Sequence, residues 1–145
     1  MADITAHEMD GLRQEVKVKL DRLAKYKARC AICGKPVYFS AQMHEIVCPP
    51  MGGSKYHPTN RELAAAVYVK QNCILLCVGC NMNKANSMRT ELVRIQMERY
   101  GPWNVVRKLR VLTRLLWTPE SFVDRTITFQ GRDYRVLRPK DRKEN

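Results

Sequence analysis

Two Cys-x-x-Cys pairs, Cys30 with Cys33 and Cys77 with Cys80, stand 43 residues apart and constrain this chain more than any other feature of its sequence. Two such pairs supply four thiolates to one tetrahedral zinc ion, because each pair bends the backbone until both sulfurs face the same metal. The site ties the stretch beginning at Cys30 to the stretch ending at Cys80. With all four positions filled by sulfur, such a Zn²⁺ is structural and not catalytic. The other readings are four unpaired core cysteines, or two Cys-x-x-Cys disulfides, which a reducing compartment disfavours. Cys48 and Cys73 fall outside the spacing and read as small buried residues.

A chain of 145 residues is one domain's worth and needs no disulfide to build a core. No apolar run approaches the roughly 18 residues of a membrane span. The opening MADITAHEMD lacks the basic and then apolar pattern of a secretory signal, so a cytoplasmic setting and no membrane partner are expected. With 26 Lys plus Arg against 14 Asp plus Glu, the net charge of +12 points to phosphate-rich partners, nucleic acid before anionic membrane surfaces. Four thiolates around a doubly charged ion trim that charge only to +10. The excess is uneven: residues 1–72 carry net +4 and residues 73–145 net +8.

The pattern along the chain divides it into three segments. Residues 1–29 hold an amphipathic helix over about Glu8 to Arg29, with Leu12, Val16, Leu20 and Leu23 as its apolar stripe. Residues 30–86 hold the cysteine pairs, two short strands over Pro36–Phe39 and Gln42–Val47 joined near Ser40, a loop marked by Pro49, Pro50, Gly52 and Gly53, and a short helix over Arg61–Val69. Residues 87–145 are a basic helical extension. Ser87 is placed to cap a helix that Gly101 and Pro102 end, and a second helix follows with the stripe Val105, Leu109, Leu112 and Leu116. Thr118 to Glu120 suit the start of another short helix, and Thr126–Phe129 with Asp133–Leu137 suit a hairpin turning at Gln130 and Gly131. The class expected is α+β.

The segments CAICG, MHEIV, PPMGG, QNCILLCVGCN and MNKAN follow one another in an order that resembles the HNH nucleases, a family often encoded by phages and mobile elements. The resemblance covers Cys30 to Asn86, a little over a third of the chain. It implies a ββα-metal core with a structural zinc, flanked here by the N-terminal helix and the helical extension, and a metal-dependent DNA endonuclease that nicks or cuts duplexes. In that family a histidine on the second hairpin strand deprotonates water, and a divalent ion, Mg²⁺ or Mn²⁺, stabilises the charge on phosphate and leaving oxygen. Histidine titrates near neutrality and the ion prefers oxygen ligands, so residue types and chemistry agree.

Carried over position by position, the resemblance makes Asn72 the residue that fixes the loop between strand and helix, and Asn81 a ligand of the catalytic ion. The pattern is H, N, N. Lys84 matches a basic position that can meet a phosphate. Two registers remain open at the strand. Aligning Ile46 and Val47 with the family's apolar pair makes His44 a metal ligand and Glu45 the general base. Aligning His44 with the base leaves Met43 as ligand, and a thioether is a poor one for Mg²⁺. Glu45, with an ordinary pKa near 4.3, is the weaker base at neutral pH. His7 and His57 read as solvated residues.

The expected partner is DNA, held through Lys84, Arg89, Arg94, Arg99, Arg107, Lys108, Arg110 and Arg114. The alternative is a regulatory or DNA-binding protein that keeps the nuclease scaffold with little or no activity, with terminal segments large enough to take a protein partner. RNA binding is a third reading, weakened by the lack of an aromatic stacking motif.

Overall fold

Thr5 starts the first helix. Its hydroxyl accepts the Glu8 backbone N–H at 3.1 Å, and the Glu8 carboxylate accepts the Thr5 N–H at 3.4 Å, a reciprocal cap that satisfies two otherwise unpaired donors. This cap sets the start of α1, Ala6–Ala24, two residues earlier than the charge pattern predicts. Its buried stripe is Met9, Val16 and Leu20.

The computed structural model describes residues 4–24, 29–37, 41–47, 61–116 and 126–136. After α1 come β1 (Gln42–Glu45), α2 (Arg61–Val67), β2 (Cys73–Leu76), α3 (Val78–Asn83), a 3₁₀ turn (Ala85–Met88), α4 (Arg89–Tyr100), α5 (Pro102–Leu116), β3 (Thr126–Phe129) and β4 (Arg132–Arg135). The chain is α+β, with two small antiparallel sheets, β1 with β2 and β3 with β4. No helix among the described residues is long and apolar enough to cross a membrane.

The strand bearing His44 pairs differently from the sequence expectation. Its partner is β2, in the register His44 opposite Ile74 and Glu45 opposite Cys73, so it is the first strand of the pair and not the second. Pro36 instead bridges Arg29. The reason is burial: Cys73, Ile74, Leu75 and Leu76 are all buried, and pairing with this run holds β1 against the core.

Gly101 ends α4 with a φ of 88°, and its N–H bonds the Met97 carbonyl at 2.9 Å. A residue with a side chain would be strained there. Pro102 then opens α5, where its missing N–H costs nothing. Ser87 does not cap α4: its hydroxyl donates to the Lys84 carbonyl at 3.0 Å, inside the 3₁₀ turn. The hairpin turns at Gln130 and Gly131, with φ of 51° and 77°, the doubly left-handed turn that matches strand twist. Its second strand ends at Arg135; Leu137 and the helix expected from Thr118 lie outside the described residues, as does Phe39.

One buried cluster joins all three segments, running from Met9 and Leu20 through Ile74 and Leu76 to Leu92, Met97, Leu109, Leu112 and Ile127. Within it α3 packs on β1, and α1 packs on α2 and β2. This arrangement brings residues near positions 13, 44 and 81 to one region.

Candidate functional site

The four cysteines of the two pairs meet. Tetrahedral bonds of about 2.3 Å put neighbouring sulfurs about 3.8 Å apart. Cys33 Sγ and Cys77 Sγ stand 3.9 Å apart, and the ligand atoms of Cys30, Cys33, Cys77 and Cys80 all lie within 4.8 Å of one another. Local backbone geometry makes each half. Gly34, at φ 75°, lets the chain reverse so that its N–H meets the Cys30 carbonyl at 2.9 Å, while the Cys30 N–H meets the Lys35 carbonyl at 2.8 Å. On the other side, Cys77 Sγ caps α3 by accepting the Cys80 N–H at 3.4 Å.

Electrostatics at the cluster favour a cation. Burial raises the Cys30 thiol, but hydrogen bonds from the backbone of Cys33, Cys77 and Ile32 outweigh it and bring the pKa down to about 6. Burial first, and then the other three cysteines, push Cys80 up to about 12. Without a positive ion the four sulfurs cannot ionise together. The cluster can hold one metal ion such as zinc. Cys73 is buried and outside it, its thiol 3.6 Å from the Val67 carbonyl; Cys48 lies outside the described residues.

One residue beyond Cys80, the first turn of α3 presents Asn81 to β1. Asn81 Nδ2 donates to Gln42 Oε1 at 2.7 Å. The same side chain lies beside His44 and favours its protonated form. His44 Nε2 is buried with no hydrogen-bond partner among the described residues. Burial, ahead of the Asn81 bond and the Arg89 charge, sets the balance and holds His44 below the usual histidine range.

Glu45 is not brought to this side. Successive residues of a strand face opposite ways, so Gln42 and His44 share Asn81 while Glu45 turns towards α1. There its Oε1 stands 3.7 Å from Arg13 Nε, and burial raises its carboxyl against the pull of that charge. Of the residues expected together from sequence, Asn81 bonds Gln42 and lies beside His44, while Glu45 lies beside Arg13. Gln42 had no signal of its own; only the register with β2 reveals it.

Asn72 is fully buried just ahead of β2. Its amide accepts the Val47 N–H at 3.0 Å and donates to the carbonyls of Val47 at 2.8 Å and Val67 at 3.0 Å, while its backbone carbonyl accepts the Ile46 N–H at 2.8 Å. It fastens the residues after β1 to the end of α2. Gln96 of α4, also fully buried, does the same for the turn before β2, donating to the carbonyls of Lys70, Gln71 and Cys73.

The basic residues divide. Arg94 donates to the Thr128 carbonyl at 3.1 Å and pairs with Glu91, and Arg110 donates to the Arg135 carbonyl at 2.9 Å. These two tether the β3–β4 hairpin. Arg89 reaches Asn86 at 3.5 Å and its charge is felt at His44. Lys84, Arg99, Arg107, Lys108 and Arg114 are exposed, as is His7; His57 lies outside the described residues.

A cleft of about 600 Å³ runs over the edge of β1, lined by Arg13, Gln14 and Lys17 of α1, by Ala41, Gln42 and Met43, and by Val78 and Asn81 of α3. No protein-family model matches the chain, and neither a curated protein nor a solved structure matches it.

Proposed function

We propose that the chain is a metal-dependent DNA endonuclease of the HNH kind, hydrolysing phosphodiester bonds beside His44. The observation that carries this reading is the grouping of Gln42, Asn81 and His44, in which a buried imidazole nitrogen has no partner among the described residues. An unpartnered buried polar atom costs about 1–3 kcal/mol. A water beside Nε2 would complete it, and we assign that place to the attacking water.

The order of parts supports the same reading: a strand with His44, then Asn72 clamping the segment behind it, then a second strand and a short helix with Asn81. His44 Nε2 accepts the proton of the attacking water. Asn81 stands beside the ring and favours its protonated form, which helps it take that proton. The amide oxygens of Asn81 and Gln42 would hold the divalent ion, and they fit it as hard oxygen donors. When bound, the ion supplies positive charge to the phosphate and the leaving oxygen. Gln42 answers the objection to this register, since an amide oxygen and not the Met43 thioether shares the face of His44. The four-cysteine cluster, which we assign to structural Zn²⁺, sets the position of Asn81 through the adjacent Cys80.

One observation favours the second reading, a DNA-binding protein with weak activity or none. Among the described residues the cleft beside Asn81 is lined by amides and no carboxylate, so it holds an ion less tightly than an acidic site. The two readings separate on supercoiled plasmid. We expect nicked or linear product with added Mn²⁺ or Mg²⁺, none with EDTA, and none from Asn81→Ala. Intact plasmid with every divalent ion tried would leave the binding role alone standing.

A further inference from the structure

We infer that α1 forms part of the DNA-binding surface, with Arg13 and Lys17 holding phosphates in the cleft over β1. This rests on the reading of the His44 side as a DNA site, because Asn81 belongs to both. The sequence places most of its positive charge after Asn72 and invites the duplex onto α4 and α5. In the structure, Arg94 and Arg110 spend hydrogen bonds on the hairpin instead. The cleft next to Asn81 draws its two cations from α1, a segment without a functional signal in the sequence.

The chemistry of the lining selects an anion. Arg13 and Lys17 are joined there by the amides of Gln14, Gln42 and Asn81, and no carboxylate lines the cleft. Arg13 and Lys17 are one helical turn apart, about 6 Å along the same flank of α1. Two cations a turn apart along an open edge suit a chain of phosphates better than a single one. Arg13 is already steadied, its guanidinium 6.0 Å over the Tyr68 ring and its Nε beside Glu45 without a hydrogen bond. Lys17, half-buried at the cleft, makes no ion pair or hydrogen bond with the described side chains. DNA lying in this cleft would pass directly over Asn81 and so beside His44.

The test compares Lys17→Gln with Lys19→Gln, which remove the same charge from the same helix. Lys19 is exposed and stands about 200° around the helix from Lys17, away from the cleft. Binding of a fluorescent duplex by the full chain, measured by anisotropy without added Mg²⁺ or Mn²⁺, is followed from low to moderate salt. Lys17→Gln should weaken binding about five- to tenfold and lower the salt slope by about 0.9, the share of one phosphate. Lys19→Gln should stay within twofold. Equal losses from both variants, or no loss from either, would overturn the assignment while leaving plasmid cutting untouched. Binding that depends on Lys17 without cutting by any divalent ion would keep the cleft and remove hydrolysis. Failure of the native protein to bind the duplex, or better competition by an RNA hairpin of equal length, would overturn DNA as the occupant.

Discussion

Asn72 shows how much one side chain can carry. Its amide joins Val47 to Val67 by three hydrogen bonds inside a fully buried environment, so truncation leaves a donor and two acceptors dry. Asn72→Ala should lower the free energy of unfolding by about 3 kcal/mol or more, measured by urea titration. A loss under 1 kcal/mol would mean that water replaces the amide. Asn72 was legible through its motif, whereas Gln96 was not. A glutamine on a helix full of charges reads as surface, and only the packing of α4 on the turn before β2 turns it inward. Which of His44 and Glu45 lies beside Asn81 was likewise beyond the sequence, because a strand's facing depends on its register and a one-residue slip exchanges the two.

At the scale of elements, helix ends and the terminal hairpin followed from local chemistry. Gly101 with Pro102, and Gln130 with Gly131, mark their turns through backbone conformations that few residues tolerate. The pairing of β1 was not legible, since its partner lies beyond α2 and local turn signals favoured Pro36–Phe39. Nor was the tethering of β3 and β4, because charge alone does not distinguish an arginine that binds a carbonyl from one that awaits a phosphate. Trp103 adds to the same joint, edge to face with Tyr134 at 5.0 Å and with Arg132 5.5 Å from its ring. Arg94→Ala and Arg110→Ala should each cost about 1 kcal/mol, or about 3 °C in Tm by calorimetry. Arg107→Ala and Lys108→Ala, both on exposed positions, should leave Tm within about 1 °C. Equal shifts from all four would show that the tethers do not bear on stability.

Across the whole molecule, the four-cysteine cluster joins a tight reversal at Cys30–Gly34 to the junction of β2 and α3. This connection was the most legible feature of all, because paired thiolates at that spacing have few other uses in a chain of this size. Native mass spectrometry should find one zinc per chain. Its removal by a strong chelator should lower Tm by more than 10 °C, since binding energy at such a site is folding energy. Metal-free protein that melts at the same temperature would reduce the cluster to packing. Its effect should extend to chemistry, because Cys80 precedes Asn81 and any loosening of α3 withdraws the group that stands beside His44.

Under the proposed function His44, and not Glu45, serves the scissile phosphate. Its direct test is the single-turnover cleavage rate of a duplex at saturating Mn²⁺ for the native chain, His44→Ala and Glu45→Gln, each checked for bound zinc. A positioned general base contributes about 10²–10⁴-fold. His44→Ala should fall at least a hundredfold, and Glu45→Gln should stay within a few fold of the native rate. A native rate retained by His44→Ala, or a collapse confined to Glu45→Gln, would contradict it.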